Sequence, residues 1–311
     1  MNRRDFIKTG SALGALGAFV GCRCPFCGVS REQMPIPYAP NLRDRCWMWG
    51  HDTGVYDGPD GKGGLKYNIP GSEPITMADA CCRMGIPNVC VIRWNPPTQE
   101  YLSQFKKMKR ISWVMGGDAR PDMYKTWHDQ DIRLFHELPN MVGFDLDDFF
   151  LDKRGYLQDG QMVSKGILSL NQLRALRAEV RSLGRPADLR LVLYSHQLVP
   201  SIVPILRNID TILFWTWSGA DLSKLEKNFA TLREFVPEKP VMLGIYMWDF
   251  GGKKPLAMDF MKGQLKVAHD LFRRGEIEGF VFHCTPLVNK NLEAVEYAKR
   301  WIDEHADETR A

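Results

Sequence analysis

From Arg45 onward, short apolar runs alternate with amphipathic stretches, and this alternation constrains the fold more than any other feature. The amphipathic stretches have the 3.6-residue periodicity of helices, as in Leu170, Leu173, Leu176, Val180 and Leu183. The predicted strands are Cys46–His51, Asn88–Trp94, Ile111–Gly116, Met141–Asp147, Leu191–His196, Thr211–Trp217, Val241–Trp248 and Gly279–Cys284. The predicted helices are Ile75–Met84, Gln99–Met108, Asp122–Leu138, Leu170–Leu183, Val199–Asn208, Asp221–Phe235, Leu256–Arg274 and Leu292–Glu304, with Thr98 and Ser169 as N-caps and Gly275 as a stop signal.

Strict strand–helix alternation predicts a parallel sheet with right-handed crossovers, and eight repeats favour closure into a single (β/α)8 TIM barrel. The chain of 311 residues is long enough for such a barrel, which typically needs about 250. The alternative is an open doubly wound sheet, which usually carries a glycine-rich phosphate turn after its first strand. Glycines do follow the first strand here, from Gly54 to Gly64, but without that spacing. We therefore predict one barrel domain over residues 44–308.

The N-terminus predicts export. Residues 1–21 resemble a twin-arginine signal peptide, with Arg3 and Arg4 before an apolar run too short to span a membrane. Residues 22–43 are rich in proline and predict a short tether. Cys22 follows a segment that resembles a lipoprotein cleavage box, which leaves open either lipidation, with membrane attachment, or simple cleavage nearby. The expected location is the bacterial periplasm, the outer membrane surface or the medium.

The net charge and the cysteine spacing limit which partners and cofactors the sequence predicts. The net charge is +4, and the signal segment contributes two of these charges through Arg3, Arg4 and Lys8 against Asp5. The remainder is nearly neutral, so no nucleic-acid partner is expected. Cys22, Cys24 and Cys27 are closely spaced but lack a matching fourth ligand, so neither a metal nor another cofactor is predicted.

The run Gly143-Phe144-Asp145-Leu146-Asp147-Asp148-Phe149 is the strongest chemical signal. Strand periodicity places Asp145 and Asp147 on one face and Phe144 and Leu146 on the other. Carboxylates this close repel each other unless a ligand, cation or shared proton relieves them. The run therefore predicts a functional site at the end of the fourth strand, although an acidic loop start would give a similar pattern.

Polar and aromatic side chains gather at the carboxyl ends of the predicted strands, where barrel enzymes place their sites. The opposite ends carry only Pro139-Asn140, Arg190, Asp210 and Pro240. Six tryptophans lie near the carboxyl ends, and indole faces stack on the C–H faces of sugars, although tryptophan is also a common packing residue. The predicted substrate-binding residues are Trp49, His51, Arg93, Trp94, Asp145, Tyr194, His196, Trp217, Trp248 and His283.

Glycoside hydrolysis uses two carboxyl groups that flank one bond. Asp147 or Asp148 on the fourth strand and Asp249 after the seventh are expected to face each other across the barrel mouth, and these three are the predicted catalytic residues. Asp145 could orient Asp147 or raise the pKa of that carboxyl. Arg93 could be a counter-ion, a hydroxyl clamp or part of a structural ion pair.

From Trp47 to Cys284 the chain resembles the (β/α)8 glycoside hydrolases in layout, and the Gly143–Phe149 run is similar to their strand-four signatures. The resemblance implies a general acid at the end of strand four and a second carboxylate on strand six or seven. One departure is that no glutamate ends any predicted strand, a pattern otherwise found among α-galactosidase-like enzymes. The resemblance extends to no single numbered family.

Two other functions remain open on the sequence. A metal-dependent sugar isomerase or epimerase of the xylose-isomerase-like type could take its ligands from Asp147, His196, Asp249 and His283. A non-catalytic sugar-binding lipoprotein could use the tryptophans and carboxylates for binding alone. The sugar, the linkage and the oligomeric state are not determined by the sequence.

Overall fold

A computed structural model describes residues 40–58, 62–64, 67–71, 74–93, 96–115, 124–150, 156–158, 161–163 and 166–310. The predicted signal peptide, Cys22 and most of the predicted tether lie outside these residues, as does Trp94, so these remain predictions. In the part of the chain that is described, no helix is both long enough and apolar enough to cross a membrane.

The eight predicted strands form a closed barrel in which every neighbouring pair is parallel and strand order follows chain order. The (β/α)8 prediction is confirmed. We label the barrel strands β1 (Cys46–His51), β2 (Asn88–Ile92), β3 (Arg110–Val114), β4 (Met141–Leu146), β5 (Asp188–Tyr194), β6 (Thr211–Trp215), β7 (Val241–Tyr246) and β8 (Gly279–His283). A short antiparallel ribbon, Tyr156–Gln158 with Gln161–Val163, lies in the connection after β4.

Helices alternate with these strands. They are α1 (Met77–Met84), α2 (Gln99–Ser103), α3 (Tyr124–Glu137), α4 (Leu170–Arg181), α5 (Val203–Leu206), α6 (Leu225–Phe235), α7 (Met258–Arg273) and α8 (Glu293–Glu304). The predicted caps are confirmed, because the Thr98 hydroxyl accepts from Tyr101 N–H and Ser169 forms a capping box with Gln172. Helix α7 ends as predicted, since Gly275 lies directly after its C-cap with φ of 73°.

Several element boundaries differ from the predictions, and two of the differences bear on the argument. The helix predicted over Val199–Asn208 is a 3-10 turn, Pro200–Ile202, followed by the four-residue α5. Pro200 and Pro204 lack the N–H groups that a continuous helix needs, and both lie near the start of their turn. Strand β5 begins at Asp188, three residues before the predicted start at Leu191, and so includes two charged residues.

Those charged residues face the barrel interior. The Arg190 side chain is 1% exposed, and its Nε lies 3.9 Å from a carboxylate oxygen of Asp188. The guanidinium lies over the Trp47 ring, 4.2 Å from the ring centroid, and beside Asp145 of β4. Arg190 is therefore more than a residue at the plain end of a strand: its buried charge lies beside the carboxylates of Asp188 and Asp145 in the barrel interior.

Candidate functional site

A cavity of about 680 Å³ opens at the carboxyl ends of the barrel strands. Its walls come from β1, β4, β5, β6, β7 and β8 and from the loops that follow them. The lining residues are Trp49, His51, Val55, Tyr56, Tyr67, Asp147, Asp148, Val192, Tyr194, Ser195, His196, Trp215, Trp217, Ser218, Asp221, Tyr246, Phe250 and His283. The volume lies within the range of small-molecule sites, and the composition is aromatic with a few polar groups, which is what such sites require.

Aromatic rings form the inner wall. Trp215 packs edge-on against Trp49 at a centroid distance of 5.5 Å and lies 5.2 Å from Tyr246. Strand β7 makes room for this indole with Gly244, where a Cβ atom would lie only 2.0 Å from Trp215 Cε3. Trp217 continues the wall outward, 6.0 Å from Tyr246. These indoles are therefore held in fixed orientations.

The loop after β1 closes one side of the cavity with two tyrosines. Tyr56 and Tyr67 contact each other at 5.7 Å, and Tyr67 reaches Trp217 at 5.7 Å. The loop is anchored by Lys290, whose Nζ donates to Asp57 at 2.9 Å and to the Pro70 carbonyl at 2.6 Å. This lysine comes from the segment before α8, so a long-range ion pair fixes the position of the tyrosines.

The carboxylates of the cavity come from the turn that follows β4. The Asp147 side chain accepts a hydrogen bond from the backbone N–H of Asp148 at 2.9 Å. Asp148 has φ of 41°, a left-handed conformation that aspartate tolerates better than most residues. Strain of this kind, on the order of 1–3 kcal/mol, is often found at functional sites. The turn exposes the Asp148 carboxylate at the cavity mouth.

Two phenols lie beside these carboxylates, the partly buried Tyr194 and the buried Tyr246. The Tyr194 hydroxyl is within hydrogen-bonding reach of Asp148, and the pKa of Tyr194 is raised well above its usual value, mainly by burial and further by Tyr246 and the two aspartates. Burial and the same carboxylates raise the pKa of Tyr246. Both phenols therefore remain protonated donors at neutral pH. The His196 ring stacks on Tyr194 at 5.5 Å with an interplanar angle of 10°.

Two histidines at the inner end of the cavity are neutral at physiological pH. Burial lowers the pKa of His51 to about 4. The pKa of His283 is lowered well below its usual value by burial and by the neighbouring His51, whose ring is 5.6 Å away. Each imidazole can then serve as one donor and one acceptor without adding charge.

Asp249, predicted to face Asp147 or Asp148 across the barrel mouth, contacts backbone amides in the structure. Asp249 is 6% exposed and does not line the cavity. Its Oδ1 accepts from the backbone N–H groups of Gly219 at 3.0 Å and Gly252 at 2.7 Å. The carboxylate thus fastens the loop after β7 to the segment after β6. These contacts favour a structural role, and the catalytic role of Asp249 stays a prediction.

Three predicted binding residues also lie away from the cavity lining. Asp145 is fully buried, and burial raises the pKa of its carboxyl while Arg190 opposes that shift. Arg93 donates to both carboxylate oxygens of Asp52 at 3.1 Å, which is the structural ion pair left open by the sequence. Trp248 is 2% exposed, and its indole N–H donates to the Tyr67 carbonyl at 3.1 Å.

The remaining predicted site residues are brought together. Trp49, His51, Tyr194, His196, Trp217 and His283 all line the cavity with Asp147 and Asp148. The predicted site omitted several neighbours: Tyr56, Tyr67, Trp215, Tyr246, Phe250 and Asp221. Trp215 and Tyr246 lie near strand ends and could have been included on that signal. Tyr56 and Tyr67 lie in a long loop where no local pattern predicts their position.

The ligand set of the isomerase alternative is not assembled. Among the described residues, one group of three side chains could hold a metal ion, namely His269, His305 and Glu308. Asp147, His196, Asp249 and His283 form no such group within the described ranges. The carboxylate of Asp249 faces backbone amides instead.

Comparison with known proteins identifies the fold of the chain. No protein-family model matches the chain, and no curated protein matches its sequence. A solved structure proposed to be an alpha-L-fucosidase from Bacteroides thetaiotaomicron is similar at a TM-score of 0.55 and 11% identity, covering 88% of this chain and 97% of that one. The catalytic domain of a Pyrococcus furiosus chitinase gives 0.51 and 11%, covering 88% and 99%. A Bacteroides uniformis beta-glucuronidase gives 0.51 and 13%, covering 78% of this chain and 30% of that one. At these identities the likeness shows the fold alone, a (β/α)8 barrel similar in backbone to those of glycoside hydrolases.

Proposed function

We propose that the protein hydrolyses a glycosidic bond of a carbohydrate held in the cavity at the carboxyl ends of the barrel strands. One observation carries the proposal: Asp147 and Asp148 line a cavity of about 680 Å³ whose other walls are aromatic rings. Aromatic faces bind the apolar sides of sugar rings, and carboxylates supply both hydroxyl contacts and proton transfer. Glycoside hydrolases with the same backbone fold support this assignment.

The proposed proton donor is the carboxyl group of Asp148 or Asp147. Asp148 lies at the cavity mouth, and the Tyr194 phenol beside it can orient its carboxyl. Because Asp249 is occupied by backbone amides, the second carboxylate is proposed to be Asp221, which lines the cavity from the segment after β6. Asp221 pairs with Lys224 at 3.0 Å, but its side chain is 49% exposed, so this pair is weak and solvent-screened.

The proposed substrate is an uncharged sugar. None of the described residues that line the cavity is arginine or lysine, and both histidines at its inner end are neutral at pH 7. Three aspartates give this part of the cavity a negative charge. A sugar carboxylate would be repelled there, so the proposal favours neutral glycosides over glucuronides.

The decisive experiment is a screen of the purified protein against a panel of aryl glycosides and neutral oligosaccharides, with aryl glucuronides included. Asp148→Asn, Asp147→Asn and Asp221→Asn test the carboxylates. Loss of the proton donor is expected to lower kcat at least about 10²-fold, the scale of general acid–base catalysis. The matched control is Asp259→Asn, an exposed aspartate in the first turn of α7, which should retain activity. Full activity in all three cavity variants would refute the proposal.

Non-catalytic sugar binding is a second candidate, favoured by one observation. The carboxylate expected opposite β4 serves a structural purpose, so the acidic residues nearest the sugar could act only as hydroxyl acceptors. Calorimetric binding with no measurable turnover in the wild type would support this function. In either case Trp217→Ala should weaken binding.

Export completes the proposal, on the resemblance of residues 1–21 to a twin-arginine signal. Replacing Arg3 and Arg4 together with lysine should retain the protein in the cytoplasm of a bacterial host. Cys22→Ser should release it from the membrane fraction if the cysteine carries a lipid. Unchanged fractionation of the double lysine variant would contradict twin-arginine export.

A further inference from the structure

A second group of reactive side chains lies far from the cavity, at the opposite end of the barrel. His269 lies near the end of α7, His305 is the C-cap of α8, and Glu308 follows three residues later. The Glu308 carbonyl accepts from the backbone N–H of Leu42 at 2.7 Å, just before β1 begins. This places the group at the amino ends of the strands, whereas the cavity is at their carboxyl ends.

The geometry of the group is that of a ligand triangle. His269 Nε2 lies 2.7 Å from one carboxylate oxygen of Glu308, and His305 Nδ1 lies 2.5 Å from the other. One ligand atom from each residue lies within 4.8 Å of the other two. Ligand atoms of a tetrahedral zinc site, with bonds of about 2.0–2.2 Å, are about 3.4 Å apart. Small side-chain movements would therefore accommodate one ion.

The surroundings hold these side chains in place. The Trp301 ring packs against His269 at 5.7 Å and against His305 at 5.0 Å, and the two imidazoles are 4.4 Å apart. The backbone N–H of Glu308 donates to the His305 carbonyl at 3.1 Å. Ligands fixed by neighbouring contacts need little ordering on binding, which favours affinity.

We propose that His269, His305 and Glu308 form a binding site for a divalent transition-metal ion of the zinc type. Two imidazoles and one carboxylate suit such an ion, and a water molecule can take the fourth position. The ion would join α7, the end of α8 and the segment that leads into β1. Its role is structural, because the cavity lies at the other end of the barrel.

The test is metal binding to the purified full chain after chelation and removal of the chelator. A background carrying Cys22→Ser, Cys24→Ser and Cys27→Ser removes thiols that could bind zinc independently. Titration with Zn²⁺ should show one site per chain and raise Tm by about 5 °C at saturating metal. Co²⁺ should bind at the same stoichiometry with visible d–d absorption and without a thiolate charge-transfer band.

Variants assign the site. His269→Gln and Glu308→Gln should each weaken Zn²⁺ affinity at least about 10-fold and abolish the rise in Tm. The matched control is His136→Gln, an exposed histidine on α3, which should leave both unchanged. Because the Co²⁺ spectrum is measured with these ligands intact, the proposal stays testable if a variant misfolds. It is overturned if Zn²⁺ leaves Tm unchanged, or if folded variants bind Zn²⁺ as the wild type does.

Discussion

Replacement of Lys290 tests whether a buried ion pair positions the tyrosines of the cavity wall. The Lys290 side chain is 1% exposed and contacts Asp57, whose side chain is 17% exposed, and the Pro70 carbonyl. Lys290→Met keeps a similar apolar stem but removes the ammonium. Asp57→Asn removes the opposite charge, and the double variant removes both.

The structure sets the expected magnitudes. Removing one partner of a buried pair typically costs about 3–5 kcal/mol, because the other charge is left without compensation. Lys290→Met should lower the unfolding free energy by about 3 kcal/mol, since the remaining carboxylate of Asp57 is partly hydrated. Asp57→Asn should lower the unfolding free energy by more than Lys290→Met does, since the remaining Lys290 ammonium is almost fully buried. The double variant should cost at least about 2 kcal/mol less than the sum of the two, because no buried charge remains.

Urea denaturation followed by tryptophan fluorescence gives these free energies. Ligand binding provides a second measurement, because a released loop withdraws Tyr56 and Tyr67 from the cavity and should raise Kd or KM. The control is Lys266→Met, whose side chain is 78% exposed and pairs with Asp270 four residues later, with an expected cost of about 0.5 kcal/mol or less. Additive single substitutions, or a Lys290→Met effect as small as the control, would refute the reasoning.

Three further predictions concern the cavity and its supports. The pKa of His51 is about 4 in the folded chain and about 6.5 when unfolded, so the unfolding free energy should fall as pH decreases from about 6.5 to about 4. His51→Gln should reduce that fall by about 1–2 kcal/mol, measured by urea titrations at pH 7 and pH 5. Asp249→Ala should lower the unfolding free energy of the protein by about 2–4 kcal/mol, because the Gly219 amide loses its acceptor. Asp249→Asn should retain both stability and activity. A loss of kcat of about 10²-fold in the folded Asn variant would support the catalytic role. Gly244→Ala should displace the Trp215 indole and lower the unfolding free energy by about 1–3 kcal/mol. Calorimetry should also show weaker ligand binding, and a wild-type affinity would contradict the packing argument.

The barrel could be predicted because its signals are local and repeated. Each β–α unit carries its own periodicity, and parallel strands joined by helices have few ways to close. The caps at Thr98 and Ser169 follow from the side-chain chemistry of two or three adjacent residues. Strand β5 was less predictable, because Asp188 and Arg190 look like loop residues until the partner charge of Asp145 on β4 is known.

The cavity was only partly predictable for the same reason. A strand-end aspartate that faces a ligand and one that caps a turn have the same local sequence signature, and Asp249 is of the second kind because the chain turns back at Gly252. The position of Tyr67 depends on contacts with Trp248 and, through its loop, with Lys290, both distant in sequence. Such long-range contacts leave no periodic pattern.

The depth of each group in the barrel bears on how a bound chain would be cleaved under the proposed function. The floor is closed, since Trp49 and His283 at the inner end are 3% and 7% exposed and fully buried Asp145 lies below the β4 turn. The candidate proton donor Asp148 lies at the mouth and is exposed. Under the proposed function, a sugar bound at the inner end would be the terminal unit of its chain, and the bond to the rest of the chain would lie at the mouth beside this carboxylate. We expect release of single terminal sugars, measured by mass spectrometry of early products from a defined oligosaccharide, and early internal fragments would show that the closed floor does not direct cleavage.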